Sequence, residues 1–358
     1  MTQLPKHIPP LRRRYSSTVA ARWPLALAVA SVGATLGIAA WRRSRGIDFN
    51  GRSVVIIGGS RGLGLVLARA LGAEGARVTI AARDNEELAR AREDLEGRGI
   101  AASTIVCDVR DRAQVEAAIA AAASERGGID VLMNVAGVIQ VGPLDSMTVE
   151  DFEDAMATHF WGPLYAILAA RPHLRQSPVA RIVNVSSVGG KIAVPHLLPY
   201  SASKFALTGL SEGLAVELRR EGIRVTTVNP GLMRTGSTYN ASFKGQHRRE
   251  FAWFHTADSL PVMSMSAERA ASQIIDACRH GDAEVTLTMP AKLGVLARAL
   301  CPETTARVLQ IVNALLPENA GENGSRSGWQ SVSRVAPSIL TRSADAASRR
   351  NNEVPVAP

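Results

Sequence analysis

A tyrosine and a lysine four residues apart are the side chains of this chain best suited to acid–base chemistry. Tyr200 and Lys204 stand at the start of a predicted helix, and this spacing puts them on one helix face. A phenol has a pKa of about 10, which is too high for efficient proton exchange at neutral pH. A neighbouring ammonium group favours the phenolate and lowers that pKa. The pair therefore predicts a tyrosine that exchanges a proton with a substrate.

Two serines end the predicted strand that precedes this helix. Ser187 lies thirteen residues before Tyr200, just after the strand Arg181–Val185. In a parallel sheet, the carboxyl ends of the strands face the crevice in which ligands bind. We therefore expect Ser187 and Tyr200 to meet in that crevice.

A glycine-rich turn lies much earlier in the chain. Gly58, Gly62 and Gly64 follow the predicted strand Ser53–Ile57 and open a predicted helix, Gly62–Leu71. Glycines allow a tight turn and the close approach of a pyrophosphate, and the start of a helix supplies N–H groups and a positive dipole. A strand, such a turn and a helix in that order predict a dinucleotide site. The alternative is a turn that binds no ligand.

Two arginines bear on the choice of dinucleotide. Arg61 lies in the glycine turn, and Arg83 directly follows the second predicted strand. An acidic residue usually holds the adenosine ribose at the latter place, whereas an arginine accommodates a 2′-phosphate. Arg83 therefore favours NADP(H) over NAD(H), although Asp84 comes next. The alternative is that Arg83 is a solvated residue at a helix start.

Predicted strands alternate with predicted helices from residue 53 to residue 228. This alternation implies right-handed crossovers and a doubly wound parallel sheet, so the fold class is α/β. The other predicted strands are Arg77–Ala82, Ala101–Cys107, Ile129–Asn134 and Ile223–Val228, and the other predicted helices are Glu86–Glu96, Arg112–Glu125, Val149–Leu174 and Tyr200–Glu221.

The pattern becomes less regular after Pro230. An amphipathic helix, Ala267–His280, and a short strand, Glu284–Thr288, complete a catalytic domain expected over residues 48–290. Residues 291–318 predict a helical extension broken near Pro302. Residues 319–358 are rich in Ser, Arg, Asn, Gly and Pro, which predicts a disordered tail.

An uncharged stretch, residues 23–41, follows a basic N-terminal segment, residues 1–22. As a helix its 19 residues would span about 28 Å, close to the hydrocarbon thickness of a bilayer, and a Trp stands at each end. We expect a retained transmembrane anchor and hence a single-pass membrane protein. The alternatives are a cleaved signal peptide and a soluble helix. Basic residues on both sides leave the orientation open, but the nicotinamide cofactor places the catalytic domain in the cytoplasm.

The net charge of +9 comes from the ends of the chain. Residues 1–45 carry eight basic residues and no acid, whereas residues 46–319 carry 28 basic and 29 acidic residues. Nucleic-acid binding requires clustered, uncompensated positive charge, so the near-neutral middle argues against a nucleic-acid partner. The three cysteines lie far apart without a CxxC pair, which argues against a disulfide framework or a zinc site.

Over residues 50–290 the ordered motifs resemble those of the short-chain dehydrogenase/reductase family. Matching features are the glycine turn, Asp108 after the third strand, the segment 134–137, the Ser–Tyr–Lys set and the segment 230–235, although Ile57 stands where Thr is frequent. The resemblance implies a Rossmann-type fold. It assigns the cofactor contacts to Gly58, Ser60, Arg61, Gly62, Leu63, Gly64, Arg83, Asp108, Val109, Asn134, Ala136, Gly137, Tyr200, Lys204, Pro230, Gly231 and Thr235.

The resemblance also implies the reaction. Tyr200 would exchange the proton of a carbonyl or alcohol oxygen, and Ser187 would hydrogen-bond that oxygen. Lys204 would bind the nicotinamide ribose and lower the pKa of Tyr200. Hydride moves to or from the nicotinamide ring, so no metal is required. Such enzymes form homodimers or homotetramers, which the resemblance implies for this chain.

His159 departs from the family pattern. Many relatives have an Asn three residues before the glycine that is Gly162 here, and that Asn positions a water in a proton relay. Histidine also hydrogen-bonds water, so His159 is a candidate relay residue with an altered pH dependence. The alternative is a partly buried structural histidine.

The segment after Gly231 is rich in aromatic residues. An aromatic lid suits a lipophilic alcohol or ketone, although such side chains also simply pack a lid. The apolar candidates are Tyr239, Phe243, Phe251, Trp253, Phe254 and Met263. The alternative to an enzyme is a membrane-tethered NADP(H)-binding scaffold or redox sensor with little turnover, which only His159 favours.

Overall fold

The structure is a computed structural model that describes residues 37, 39–260, 263–319, 324–333, 336–338 and 341–354. The chain separates into two compact units, Met1–Gly46 and Ile47–Pro358. In the first unit, residues 39–43 are helical. The second unit contains the sheet and the cavity described below.

The expected localisation as a single-pass membrane protein is contradicted. Within the described ranges, no helix combines the length and the hydropathy that crossing a bilayer requires. Of the predicted anchor, residues 23–41, only residues 37 and 39–41 are described, and the rest lies outside the described residues. The stretch is rich in Ala and Gly, so it met the length criterion with only moderate hydropathy.

Seven parallel strands form the main sheet. In chain order the strands of the molecule are β1 Ser53–Ile57, β2 Arg77–Ala82, β3 Ala102–Val106, β4 Val131–Asn134, β5 Gln140–Val141, β6 Arg181–Val185, β7 Arg224–Asn229, β8 Leu232–Arg234, β9 Ser242–Phe243, β10 Ser264–Ser266, β11 Glu284–Thr286 and β12 Arg326–Ser327. The main sheet has the order β11-β7-β6-β4-β1-β2-β3. Val54 pairs with Val78 of β2 on one side and with Val131 of β4 on the other. The chain therefore reverses direction across the sheet between β1 and β4, where a ligand crevice is expected.

Helices cover both faces of this sheet. They are α1 Gly62–Ala73, α2 Asn85–Glu96, α3 Arg112–Arg126, α4 Val149–Met156, α5 Gly162–Leu174, α6 Leu198–Glu217, α7 Ser237–Asn240, α8 His247–Ser259, α9 Ala267–His280, α10 Met289–Leu300, α11 Pro302–Leu315 and α12 Arg342–Arg350. One apolar core contains the inner faces of α1, α2 and α9, and the other contains those of α3 and α5. Apolar strands buried on both faces are typical of such three-layer folds, so the doubly wound sheet predicted from the sequence is confirmed.

The long helix predicted over Val149–Leu174 is interrupted. A π-helical turn, Ala157–Trp161, separates α4 from α5, and the Gly162 N–H donates to the Ala157 carbonyl. Pro163 has no N–H to donate to the carbonyl four residues earlier, so the regular ladder cannot continue through His159. Such turns are frequent at functional sites.

The C-terminal region is more ordered than its composition predicts. The predicted helical break near Pro302 separates α10 from α11. Beyond Asn319, where the sequence predicts disorder, the structure contains β12 and α12, and Asn351 is fully buried. The composition shows that this segment has few apolar residues. It does not show whether the polar side chains form hydrogen bonds with the folded domain.

Candidate active site

A cavity of about 620 Å³ opens at the carboxyl ends of β1, β4, β6 and β7. Pockets for small ligands and cofactors span about 300–1,000 Å³, so a dinucleotide with its substrate fits this space. Of the predicted site residues, all except Asn134 and His159 line the cavity. The cavity therefore brings together residues that are up to 177 positions apart in the chain, from Gly58 to Thr235.

Ser187 and Tyr200 meet as the sequence predicted. Ser187 follows β6, and its hydroxyl oxygen accepts the Gly189 N–H at 2.9 Å. The two side chains lie side by side, since a Cβ on Gly189 would be 3.3 Å from Ser187 Oγ and 3.1 Å from Tyr200 Cε1. Burial raises the pKa of Tyr200 above its ordinary value; the Ser187 hydrogen bond acts against this and the charge of Asp258 adds to it. The pKa is therefore shifted upward, opposite to the expectation from the Tyr–Lys pairing. The physical reason is that burial disfavours the phenolate.

Lys204 lies on the same side of α6 as Tyr200. Its Nζ is 5.7 Å from the centre of the Tyr200 ring and donates to the Val185 carbonyl at 2.9 Å. Burial lowers the pKa of Lys204 to about 7, because an ammonium group loses solvation in the interior. Lys204 is thus only partly charged at neutral pH, which weakens its effect on the phenol.

His159 is fully buried in the π-helical turn. Its Nε2 accepts the Val138 N–H at 3.1 Å, and its Nδ1 lies 2.7 Å from the Ser203 hydroxyl. These contacts assign the proton to Nδ1, so the ring is neutral, and burial lowers its pKa well below the ordinary value. Both ring nitrogens are occupied by protein partners. The arrangement thus favours a structural role for His159 over a relay role. Its ring packs edge-on against the Tyr200 ring, with the two ring centres 5.4 Å apart.

Asn134 lies behind the cavity wall and holds neighbouring strands together. Its amide donates to Asn184 at 2.9 Å, and Asn184 donates in turn to the Ser211 hydroxyl at 3.0 Å. All three side chains are buried. Asn134 therefore positions the carboxyl ends of β4 and β6 and does not contact the cavity.

The glycine turn packs tightly against the end of β4. Gly58 has a φ of +86°, and a Cβ on it would lie 2.5 Å from the Ala136 nitrogen. Only glycine meets both conditions without moving the neighbouring backbone. This close packing of two loops forms the floor of the cavity at its phosphate end.

The arginines of the adenosine end differ in their partners. Arg61 pairs with Glu87 at 2.5 Å. Arg83 is exposed, lines the cavity and has no hydrogen-bond or ion-pair partner among the described residues. Asp108 is held by Arg110 at 2.6 Å, which lowers the pKa of this carboxyl. The free guanidinium of Arg83 is therefore the group best placed for an added phosphate.

Two of the six apolar candidates line the cavity. Trp253 and Phe254 of α8 do so, whereas Phe243 and Phe251 are fully buried in the aromatic cluster to which Phe254 also belongs. Tyr239 stacks on Trp329 at 4.2 Å in that cluster. Most of these side chains therefore pack inside the lid, in agreement with the alternative interpretation.

A buried hydrogen-bonded pair that the sequence did not reveal positions the lid. Glu250 is fully buried, 2.9 Å from His196 Nδ1, and accepts the Trp253 indole N–H at 2.6 Å. No local motif marks this pair, because its members are 54 residues apart. The contact fixes the Trp253 ring at the cavity wall.

Asp258 is the second residue that sequence reasoning missed. Its carboxylate is 4% exposed, lines the cavity and accepts the Met233 N–H at 3.1 Å through Oδ1. Its other oxygen has no partner among the described residues. Burial raises the pKa of Asp258 to about 7.

The C-terminal end of the chain also lines the cavity. Glu353 is buried there, accepts the Gly236 N–H, and has its pKa raised to about 8 by burial. The sequence carried no signal for this contact, because the segment has no motif and an unstructured composition.

Known proteins are similar to this chain in sequence and in fold. The short-chain dehydrogenase family model matches residues 52–244. A gluconate 5-dehydrogenase of Gluconobacter oxydans is 34% identical over 191 residues, which are 53% of this chain and 75% of that protein. Among solved structures, a dehydrogenase/reductase from Sinorhizobium meliloti superposes with a TM-score of 0.60 at 30% identity, covering 69% of this chain and 97% of that one.

A second solved structure carries a cofactor. It is a gluconate 5-dehydrogenase from Burkholderia cenocepacia in complex with NADP and tartrate, with a TM-score of 0.60 at 26% identity, covering 68% of this chain and 96% of that one. The family match spans just over half of the 358 residues and includes the glycine turn, Ser187, Tyr200 and Lys204. The chain therefore belongs to the short-chain dehydrogenase/reductase family and is an NAD(P)-dependent oxidoreductase.

Proposed function

We propose that this protein interconverts a carbonyl group and a secondary alcohol with NADP(H), with Tyr200 as the catalytic acid and base. The observation that carries the proposal is that Ser187 and Tyr200 lie side by side, both against Gly189, and line the same cavity as the glycine turn. Lys204, buried beside the phenol ring, completes the set.

Each residue has a defined task in this reaction. When bound, the nicotinamide ring supplies or accepts the hydride. Tyr200 donates its phenolic proton to the carbonyl oxygen during reduction, and its raised pKa keeps that proton in place at neutral pH. The Ser187 hydroxyl donates a hydrogen bond to the same oxygen, which stabilises the charge that develops there. Lys204 Nζ is available to the ribose hydroxyls of the nicotinamide nucleotide.

The preference for NADP(H) rests on Arg83 and Arg61. Arg83 lines the cavity without a hydrogen-bond or ion-pair partner among the described residues. Arg61 lines the same cavity but is paired with Glu87. A guanidinium group binds a phosphate through paired N–H donors. The related gluconate 5-dehydrogenase solved with NADP supports the same choice.

The substrate that this site favours is a lipophilic ketone or secondary alcohol. Apolar side chains surround the Tyr200 end of the cavity, namely Val138, Ile139, Val194, Leu197, Leu232, Met233, Trp253 and Phe254. The Asp258 carboxyl group also lines the cavity, and one of its oxygens has no partner among the described residues, so a substrate with one polar donor is also accommodated.

The quaternary structure that we propose is a homodimer or homotetramer. The surfaces of α5 and α6 expose large apolar side chains, among them Leu168, Phe205 and Val216. Exposed apolar groups on neighbouring helices support association through this face. Light scattering of the purified protein tests it, and a monomer at micromolar concentration contradicts it.

The test of the reaction is Tyr200→Phe assayed with NADPH and a panel of lipophilic ketones. Loss of the proton donor is expected to lower kcat by about 10²–10⁴-fold. NADPH binding should survive, because the phenyl ring remains. The matched control is Tyr165→Phe, since Tyr165 stacks on Trp161 on another surface of the protein.

Two outcomes contradict the proposal. Equal turnover in the wild type and in Tyr200→Phe excludes Tyr200 as the acid. NADPH binding without turnover on any carbonyl or alcohol favours the cofactor-binding scaffold instead.

A further inference from the structure

The segment Asn351–Glu353 lies directly on the glycine turn. The Gly62 N–H donates to the Asn351 carbonyl at 2.8 Å. Gly62 is the first residue of α1, and the N–H groups of a first helical turn have no partner within the helix. Those groups, together with the helix dipole, are what binds phosphate at such a turn. Here a carbonyl of the chain itself takes one of them.

Glu353 bridges two segments that line the cofactor part of the cavity. Its carboxyl group accepts the Gly236 N–H, directly after Thr235. The same carboxyl lies against the glycine turn, because a Cβ on Gly62 would be 2.7 Å from Glu353 Oε1. Only 5% of Glu353 is exposed. An acceptor group with two oxygens is thus held between the glycine turn and the segment 230–236.

Asn352 fastens this segment to the turn. It has a φ of +57°, in the left-handed region that Asn tolerates better than most residues. In this conformation its amide donates to the carbonyls of Ser60 at 2.9 Å and Glu87 at 3.0 Å. Its own oxygen accepts from Arg90 Nε at 2.9 Å.

Arg69 of α1 holds the residues just before. Its guanidinium donates to the Asn351 side chain at 2.9 Å and to the Arg350 carbonyl at 2.7 Å. The docked segment therefore uses both α1 and α2 as its base. Specific hydrogen bonds from several elements distinguish it from a tail that merely lies on the surface.

A dinucleotide and this segment compete for the same donors. One N–H group cannot serve the Asn351 carbonyl and a phosphate oxygen at full strength at the same time. The volume between Gly62 and Gly236 that Glu353 fills is also closed to a diphosphate, because both glycines already contact its carboxyl. Displacing the segment opens the turn without moving the sheet.

We propose that residues 351–353 are an intrachain competitor of the dinucleotide, so that NADP(H) binds only after this segment leaves the glycine turn. The inference rests on the proposed function, since it takes residues 58–64 as the phosphate site. The consequence is a binding-competent fraction smaller than one. The apparent Kd then exceeds the intrinsic Kd by the reciprocal of that fraction.

The first measurement is NADPH affinity, followed by nucleotide fluorescence, in the full-length chain and three variants. Glu353→Ala removes the bridging carboxyl, and Asn352→Ala removes the contacts to Ser60 and Glu87. The control is Glu303→Ala, an exposed glutamate of α11. Both tail variants are expected to bind NADPH about tenfold more tightly, as for a docked fraction of about 90%. The control is expected to match the wild type.

The second measurement is trypsin cleavage after Arg349 or Arg350, read by mass spectrometry. In the docked state the Arg350 carbonyl is hydrogen-bonded to Arg69, so cleavage there is expected to be slow. Saturating NADPH should accelerate it several-fold. This readout follows the segment itself and does not depend on turnover.

The outcomes separate this inference from the proposed function. NADPH binding that is equal or weaker in the tail variants, or NADPH protection of Arg350 from trypsin, overturns the competition and leaves the reaction intact. No binding by the wild type but binding by the variants supports it strongly. No binding by any chain contradicts the cofactor site and this inference together.

Discussion

The two ends of the cavity are built in different ways. At the reaction end, Ser187, Tyr200 and Lys204 come from one strand end and one helix that are close in sequence. At the phosphate end, Gly62, Gly236 and Glu353 meet from segments that are more than one hundred residues apart. The reaction end is therefore a local motif. At the phosphate end, the access of a ligand to the glycine turn depends on a distant part of the chain.

The largest expected effect tests the rigidity of the phosphate end. Gly58→Ala combines a φ of +86° with a Cβ 2.5 Å from the Ala136 nitrogen. We expect the free energy of unfolding to fall by about 2–4 kcal/mol, measured by urea denaturation. Gly99→Ala is the control, since Gly99 has a φ of +75° with open space around it. It should cost only about 1–2 kcal/mol. Equal losses would show that the close packing at Gly58 contributes nothing.

The second effect tests the reaction end. Ser187→Ala removes the hydroxyl that lies beside Tyr200 in the cavity, so kcat should fall about 100-fold with NADPH affinity unchanged. The neighbouring Ser186 hydroxyl contacts the Lys204 carbonyl and Thr208 instead. Ser186→Ala is therefore expected to lower stability more than kcat. A kcat loss of the same size in both variants would argue against a separate role for Ser187.

The third effect tests which arginine at the phosphate end sets the preference for NADPH. Glu87→Gln removes the carboxylate that pairs with Arg61 at 2.5 Å. The freed guanidinium should raise the ratio of NADPH to NADH affinity about fivefold, which corresponds to about 1 kcal/mol. Glu96→Gln is the control, because it removes an exposed pair with Arg92 on the same helix. An unchanged ratio in Glu87→Gln would leave the preference to Arg83 alone.

The smallest effect is a shift in the pH dependence of turnover. The negative charge of Asp258 raises the pKa of Tyr200, so Asp258→Asn should lower it. Reduction needs the protonated phenol and fails as the pH rises through that pKa. The alkaline limb of kcat should therefore move to lower pH. Asp276→Asn, an exposed site on α9, should leave the limb in place, and an upward shift in Asp258→Asn would contradict the electrostatic assignment.

Sequence patterns predicted much of the fold because its elements are locally encoded. The strand Arg181–Val185 and the helix Ala267–His280 have the bounds that alternation and amphipathic periodicity indicated. The helix through His159 was only partly right, because Pro163 removes a donor and produces a π-helical turn. The upward pKa shift of Tyr200 was missed, because spacing shows that Lys204 is near but not that both groups are buried.

The contacts of the lid and of the C-terminal segment could not be predicted from the sequence, for a different reason. Glu250 reaches His196 across 54 residues, and Glu353 reaches Gly236 across 117 residues. Neither pair has a local spacing that geometry would constrain. Charged side chains are usually exposed, whereas Glu250 and Glu353 are buried and have specific hydrogen-bond partners.

By itself, the sequence determined the αβ alternation, the glycine turn and the order of Ser187, Tyr200 and Lys204, because helix and strand periods convert short spacings directly into shared faces. Only the tertiary structure decided which charges are buried, which arginine is left for a phosphate, and that Asn351–Glu353 lies on the glycine turn. Burial and hydrogen-bond partners depend on segments far apart in the chain. No local pattern contains that information until the chain has folded.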